Sequence, residues 1–156
     1  RYNELGVELT EGNRLQAVNE SRILYVRDVV TQTIINLWTD YAFGSAPQVV
    51  PIDTNARADW NEFWNAREND AVLGVRNIKS LSSTVLTDGE IFFVFFTSRQ
   101  DGRITRIRTI PTEEIREIIT MPGDSSTVLY YRREYRDEQG QVYTMYYKDC
   151  APRMTN

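Results

Sequence analysis

The segment from Asp70 to Ser98 restricts the possible folds more than any other stretch. Val75, Ile78, Leu81 and Val85 recur at helical spacing, while Arg76, Lys79, Ser80 and Ser83 take the opposite side. This pattern predicts an amphipathic helix over Asp70–Thr87. Asp88-Gly89 provides its stop, because glycine tolerates the left-handed conformation that helix ends favour. A strand is predicted at once afterwards, over Glu90–Ser98. Phe92, Val94 and Phe96 fall on one of its faces and Ile91, Phe93 and Phe95 on the other. A strand apolar on both faces is normally covered on both sides. At about 1.5–3 kcal/mol per buried side chain, its phenylalanines are expected to dominate the core.

The remaining composition mostly excludes. With 156 residues the chain is about one domain, long enough to bury a core without staples. The single cysteine, Cys150, allows no internal disulfide and no cysteine metal site. Histidine is absent, which removes the commonest general base, metal ligand and pH switch. The formal net charge of −4 is uneven: residues 1–78 hold 7 basic and 11 acidic side chains, and 79–156 hold 11 of each. Neither half has the basic excess of a surface that grips phosphates. Lys79 and Lys148 are the only lysines among 18 basic residues, a bias that suits planar, bidentate pairing but also follows from genome composition. The longest apolar run, Ile91–Phe96, is too short to span a membrane, so no membrane association is expected. The chain starts at Arg1 without an initiator methionine or signal peptide, and is expected to be part of a longer protein.

Taken in order, residues 1–13 are polar and expected to form a flexible arm, and 14–156 a single domain. An imperfect helical pattern runs from Arg14 to Arg27. Asp28 is placed as the N-cap of a clearer helix ending near Ala42 and closed by Gly44. Its stripe of Val30, Ile34, Leu37, Trp38 and Tyr41 is expected to face the core rather than to box an aromatic ligand. Pro47 and Pro51 leave room for a short edge strand at most, around Gln48–Val50. Thr54 is expected to cap a third helix carrying Trp60, Phe63 and Trp64, which read as anchors on a sheet before a stacking platform for bases.

Beyond the phenylalanine strand, Arg99–Gly102 is a turn returning into a strand over Arg103–Ile110. Ile104, Arg106, Arg108 and Ile110 share one face of it. The two arginines are read as solvated or paired across the strand with acids, with anion binding as the alternative. Pro111 is expected to open a short helical turn through Glu113 and Glu114, and Met121–Ser126 to be a loop. A second hairpin pairs Val128–Arg136 with Val142–Asp149 around Asp137–Gly140. Its tyrosines 130, 131, 135, 143, 146 and 147 alternate with Arg132, Arg133 and Arg136, one signature of nucleic-acid-binding sheets. Glu134, Asp137, Glu138 and Asp149 cancel that field, so cross-strand pairing explains the pattern more economically.

The fold class is therefore α+β, with N-terminal helices packed on a mixed, mainly antiparallel sheet built from hairpins. No glycine-rich phosphate loop or His/Cys cluster is present, and no serine or threonine has an evident base. The adjacent acids Glu113-Glu114 and Asp137-Glu138 sit on turns where solvation is the default. No catalytic, cofactor-binding or metal-ligating residue is assigned, no cofactor is expected, and nucleic-acid-binding residues remain unassigned.

In the order and spacing of its elements the chain resembles the portal, or head–tail connector, proteins of tailed bacteriophages. Three stretches carry the likeness. RILYVRDVVTQTIINLWTDYAFG (Arg22–Gly44) is similar to that family's paired N-terminal helices. ADWNEFWNARENDAVLGVRNIKSLSSTVLTDGEIFFVFF (Ala58–Phe96) looks like its tryptophan-bearing helix, the helix ending in an Asp-Gly turn, and the hydrophobic strand. DGRITRIRTIPTEEIREI (Asp101–Ile118) resembles the returning hairpin strand and the proline-initiated turn. Stem helices, clip and channel-lining helix have no counterpart, so the likeness is to the outer wing.

The resemblance implies a non-enzymatic structural subunit of a homo-oligomeric ring of about twelve copies, closed by cyclic symmetry. Such a ring sits at the capsid vertex of the virion after assembly in the host cytoplasm. Double-stranded DNA is packaged and ejected through it, and the major capsid protein, terminase and tail adaptor attach to it. A wing separated from its stem is expected to be monomeric or weakly associated. The alternative is a stand-alone module that binds protein or nucleic acid through the Tyr/Arg hairpin.

Overall fold

The computed structural model describes residues 10–44, 47 and 49–150. Among these residues five α-helices precede five strands: α1 (Glu11–Arg27), α2 (Val29–Phe43), α3 (Arg57–Asn65), α4 (Asp70–Leu73), α5 (Val75–Asp88), β1 (Phe92–Thr97), β2 (Ile104–Ile110), β3 (Ile115–Met121), β4 (Asp124–Arg136) and β5 (Val142–Lys148). Short 3₁₀ turns cover Arg67–Asn69 and Thr112–Glu114. The class is α+β as expected, with the strands in two antiparallel sheets, β1-β2 and β3-β4-β5. The chain divides into two compact units, Ala17–Ile110 and Arg1–Gln16 with Pro111–Asn156.

Residues 11–13, assigned to the flexible arm, are instead the first turn of α1. The Thr10 hydroxyl accepts from the Asn13 amide at 3.3 Å and supplies a cap there. The rest of that arm lies outside the described residues. Asp28 caps α2 as expected, accepting from the amides of Val30 (3.4 Å) and Thr31 (2.9 Å). Thr54 does not cap α3, which begins three residues later after a turn in which Asp53 accepts from the Asn55 amide at 2.9 Å. Gln48 is outside the described residues, and Val49 and Val50 form no strand.

The helix expected over Asp70–Thr87 is broken at Gly74, whose ψ of 143° is extended. Asp70 explains why glycine stands there. A Cβ at position 74 would lie 2.6 Å from the Asp70 carbonyl oxygen and 2.5 Å from its carboxylate, closer than such atoms approach. At the other end Gly89 has φ of 75° and returns its amide to the Val85 carbonyl at 2.9 Å, the stop read from Asp88-Gly89.

β1 pairs antiparallel with β2, Phe92 opposite Ile110 and Phe96 opposite Arg106, with a bulge that skips Thr105. The phenylalanine strand is nevertheless not the buried centre that its composition suggests. Phe93, Phe95 and Phe96 stay 37–41% exposed, and the buried apolar side chains of this unit are Val18, Val72, Ile107 and Ile110. Among the described residues β1 has no second neighbouring strand, and its ends border open grooves. The sheet's outer edge is closed by a side chain. Asn69, fully buried, donates to the carbonyls of Phe63 (2.8 Å) and Thr105 (3.1 Å) and accepts from the Ile107 amide (3.1 Å). Its amide group thus stands where a third strand would place a peptide group.

In the other unit, Thr112–Glu114 turns directly into β3, which the sequence reading did not assign although Ile115, Ile118, Ile119 and Thr120 are β-branched. The expected loop at Met121–Ser126 is a tight Pro122-Gly123 turn, Gly123 having φ of 82°, and β4 already starts at Asp124. β4 and β5 pair from Tyr130–Lys148 to Arg136–Val142, as the second hairpin requires. Ile115 is almost completely buried.

Candidate functional site

Helix α2 is packed inside out. Its covered side is Thr31, Ile35, Thr39 and Phe43, and Thr39 is buried against α5, where its hydroxyl lies 3.3 Å from those of Ser82 and Ser83. Asp40, the helix's only charged residue, pairs with Lys79 of α5 at 3.0 Å. The stripe expected in the core faces outward instead: Val30, Ile34, Leu37, Trp38 and Tyr41 are 50–83% exposed. Small hydroxyl side chains let α2 and α5 approach closely, and that selects the threonine side for the contact. Both sides of α2 are apolar enough to be buried, so periodicity could not tell which one would be. Val26 and Val29 extend the exposed patch toward the α1–α2 junction.

The α2 cap has a consequence for pH. Hydrogen bonds from the Thr31 hydroxyl and amide hold the Asp28 carboxyl below the ordinary aspartate range. A lowered folded-state pKa means that the cap stabilises fully above the unfolded value and is lost as pH falls through the folded one. Following the Thr31 amide by NMR should therefore give a titration midpoint below about 4, the unperturbed value. A midpoint at or above that value contradicts the assignment.

A second surface is a groove of about 740 Å³ between α3 and the turn end of β1-β2. Trp60, Phe63, Phe95 and Ile104 line its floor, and Asp59, Glu62, Glu68 and Asp101 its rim. Trp60 and Trp64 stack obliquely with centroids 5.3 Å apart, and the Trp60 indole donates to the Val49 carbonyl at 2.8 Å. Trp60 thus anchors the segment before α3 as well as helping to form the groove, and Trp64 packs against its ring. Arg103 crosses the rim, pairing with Asp59 at 2.8 Å and Asp101 at 3.4 Å. A smaller groove of about 330 Å³, lined by Phe43, Ile78, Leu81, Leu86, Ile91 and Phe93, adjoins α5.

Arg106 and Arg108 do share a face of β2, but the expected acid partners are not opposite them. The Arg106 guanidinium lies 4.3 Å from the Phe96 ring centre, with its Nε buried and without a hydrogen bond among the described residues. Arg108 donates to the Ile107 carbonyl at 2.6 Å.

On β3-β4-β5 the arginines pair with acids across strands, along β4 and in the turn before β3. Arg132 bonds Glu117 at 2.9 Å and also pairs with Glu134. Arg133 bonds Glu114 at 2.6 Å and the Tyr147 hydroxyl at 3.1 Å, and lies 4.6 Å from the Tyr135 ring centre. Partial loss of water would lower the pKa of both guanidiniums, but these hydrogen bonds and carboxylate charges outweigh it and leave both raised. Tyr135 stacks on Tyr143 at 5.5 Å, and Asp137 closes the turn by accepting from the amides of Gln139 and Gln141, each at 2.9 Å. The charges that would attract phosphates are therefore largely spent within the sheet.

No known protein family, characterised protein or solved structure matches the chain. Among the described residues no three His, Cys, Asp or Glu side chains are grouped to hold a metal ion, and no helix is long and apolar enough to cross a membrane. What the geometry offers is contact area. The α2 stripe is the feature sequence reasoning placed on the wrong side, and the acidic rim around Trp60 is the one it missed, because its members are separated by up to 42 positions, from Asp59 to Asp101.

Proposed function

We propose that the chain is the wing region of a structural subunit of a bacteriophage portal ring, acting by assembly rather than by catalysis. The supporting observation is the outward stripe of α2. A helix with one charged residue that turns five large apolar side chains to solvent leaves a contiguous exposed patch, and such a patch marks a contact surface. Its five large side chains offer several hundred Å², approaching the ~800 Å² that each partner contributes to a standard interface. The order of helices, Asp-Gly turn, hydrophobic strand and return hairpin supplies the portal reading in particular. In that role neighbouring subunits or the capsid would cover α2, and DNA would pass through parts of the ring lying elsewhere.

The test combines sequence context with assembly. The surrounding reading frame should encode long stem helices after this segment, with a terminase gene nearby. The protein produced from that whole frame should form closed rings by electron microscopy and sedimentation. The double substitution Leu37→Glu with Trp38→Glu, both on the exposed face, should abolish rings while leaving the circular dichroism of this segment unchanged. A monomeric full-frame protein, or rings indifferent to the two glutamates, overturns the reading.

A further inference from the structure

The groove between α3 and the β1-β2 turn has the composition of a receptor for a cation carried on an apolar stem. Its floor is aromatic and aliphatic, from Trp60, Phe63, Phe95 and Ile104, and its rim carries four carboxylates against one guanidinium. The chain itself shows what that rim accepts: Arg103 lies between Asp59 and Asp101. That leaves Glu62 and Glu68, which have no ion-pair partner among the described residues. An arginine side chain suits such a place, since its methylenes cover apolar surface while its planar head pairs with carboxylates and stacks on aromatic rings. A volume of about 740 Å³ exceeds what one side chain fills, so the occupant needs apolar neighbours of its own.

We propose that this groove docks a short segment of a partner protein in which arginines alternate with large aliphatic residues. The aliphatic side chains seat against Trp60, Phe63 and Ile104, and the arginines pair with Glu62 and Glu68. The inference rests on the charge and shape of the groove and is independent of the portal reading.

The probe is a capped hexapeptide of alternating leucine and arginine, titrated into the whole chain by calorimetry. Three controls accompany it: the same peptide with glutamate for arginine, the same peptide with glycine for leucine, and argininamide. The leucine–arginine peptide should bind at least about tenfold more tightly than each control, since each lacks either the charge or the apolar contribution. The double substitution Glu62→Gln with Glu68→Gln, at exposed positions, should weaken it about fivefold or more, and raising the salt should do the same. Ile104→Ser should weaken it as well without altering the charge. Several outcomes overturn the proposal: no heat with any peptide at millimolar concentration, equal binding of the glutamate peptide, or binding indifferent to the glutamine pair. Argininamide or the glycine peptide binding as tightly would show a simple cation site instead, and also overturns it. None of these results bears on ring formation, which the α2 variants report separately.

Discussion

Replacing Asn69 with leucine should destabilise the Ala17–Ile110 unit by about 3 kcal/mol, because the change unpairs three backbone groups at once, one buried and two partly buried. The side-chain amide caps the end of α3 through the Phe63 carbonyl and closes the edge of β2 through the Thr105 carbonyl and Ile107 amide. Leucine has the same branched shape and is somewhat larger, so none of the loss comes from a cavity and most comes from unmade hydrogen bonds. Asn69→Asp keeps the acceptor toward Ile107 but loses both donors, and should also be destabilising. Urea unfolding followed by circular dichroism measures both. A loss below about 1 kcal/mol for the leucine variant would mean that water replaces the amide without strain, and that the edge does not depend on it.

Arg22→Ala should cost about 2–3 kcal/mol, the second largest effect expected of a single substitution. Asp88 ends α5, where the helix dipole disfavours a negative charge, and its side chain is only 3% exposed. Arg22 of α1 meets it with both ends of the guanidinium, Nε to Oδ1 at 2.9 Å and Nη2 to Oδ2 at 2.6 Å. Without the arginine the carboxylate remains buried and uncompensated. The effect falls below that of a fully buried pair because Arg22 is 38% exposed and water partly takes its place. Arg22→Ala combined with Asp88→Ala should recover a good part of the loss, since the stranded charge is removed. A double-mutant cycle by urea unfolding measures the coupling, and an Arg22→Ala change within about 0.5 kcal/mol of the parent would contradict the role given to this pair.

The local sequence determined the elements wherever a side chain acts on its own backbone. Asp28 starts α2, Gly89 ends α5, and the turns at Arg99–Gly102 and Asp137–Gly140 join the strands they were expected to join. The α+β class follows from that local chemistry. Where two neighbouring readings competed, it was less decisive. Gly74 interrupts the helix expected over Asp70–Thr87, and Pro122-Gly123 is a turn between β3 and β4 rather than part of a loop.

Only the tertiary structure decided what is covered. The phenylalanine strand and the α2 stripe are both apolar enough for a core, yet the strand is left partly open and the stripe largely so, while Asn69, Asp88 and Thr39 are buried. The physical reason is that burial needs a partner surface. Asn69 is inside because three backbone groups meet there, Asp88 because Arg22 reaches it, and Thr39 because Ser82 and Ser83 allow close approach. Apart from the Phe63 carbonyl, 6 residues from Asn69, those partners lie between 36 and 66 residues away in the chain. Sequence spacing records which side chains avoid water, whereas only the assembled elements determine which of them are supplied with something to pack against.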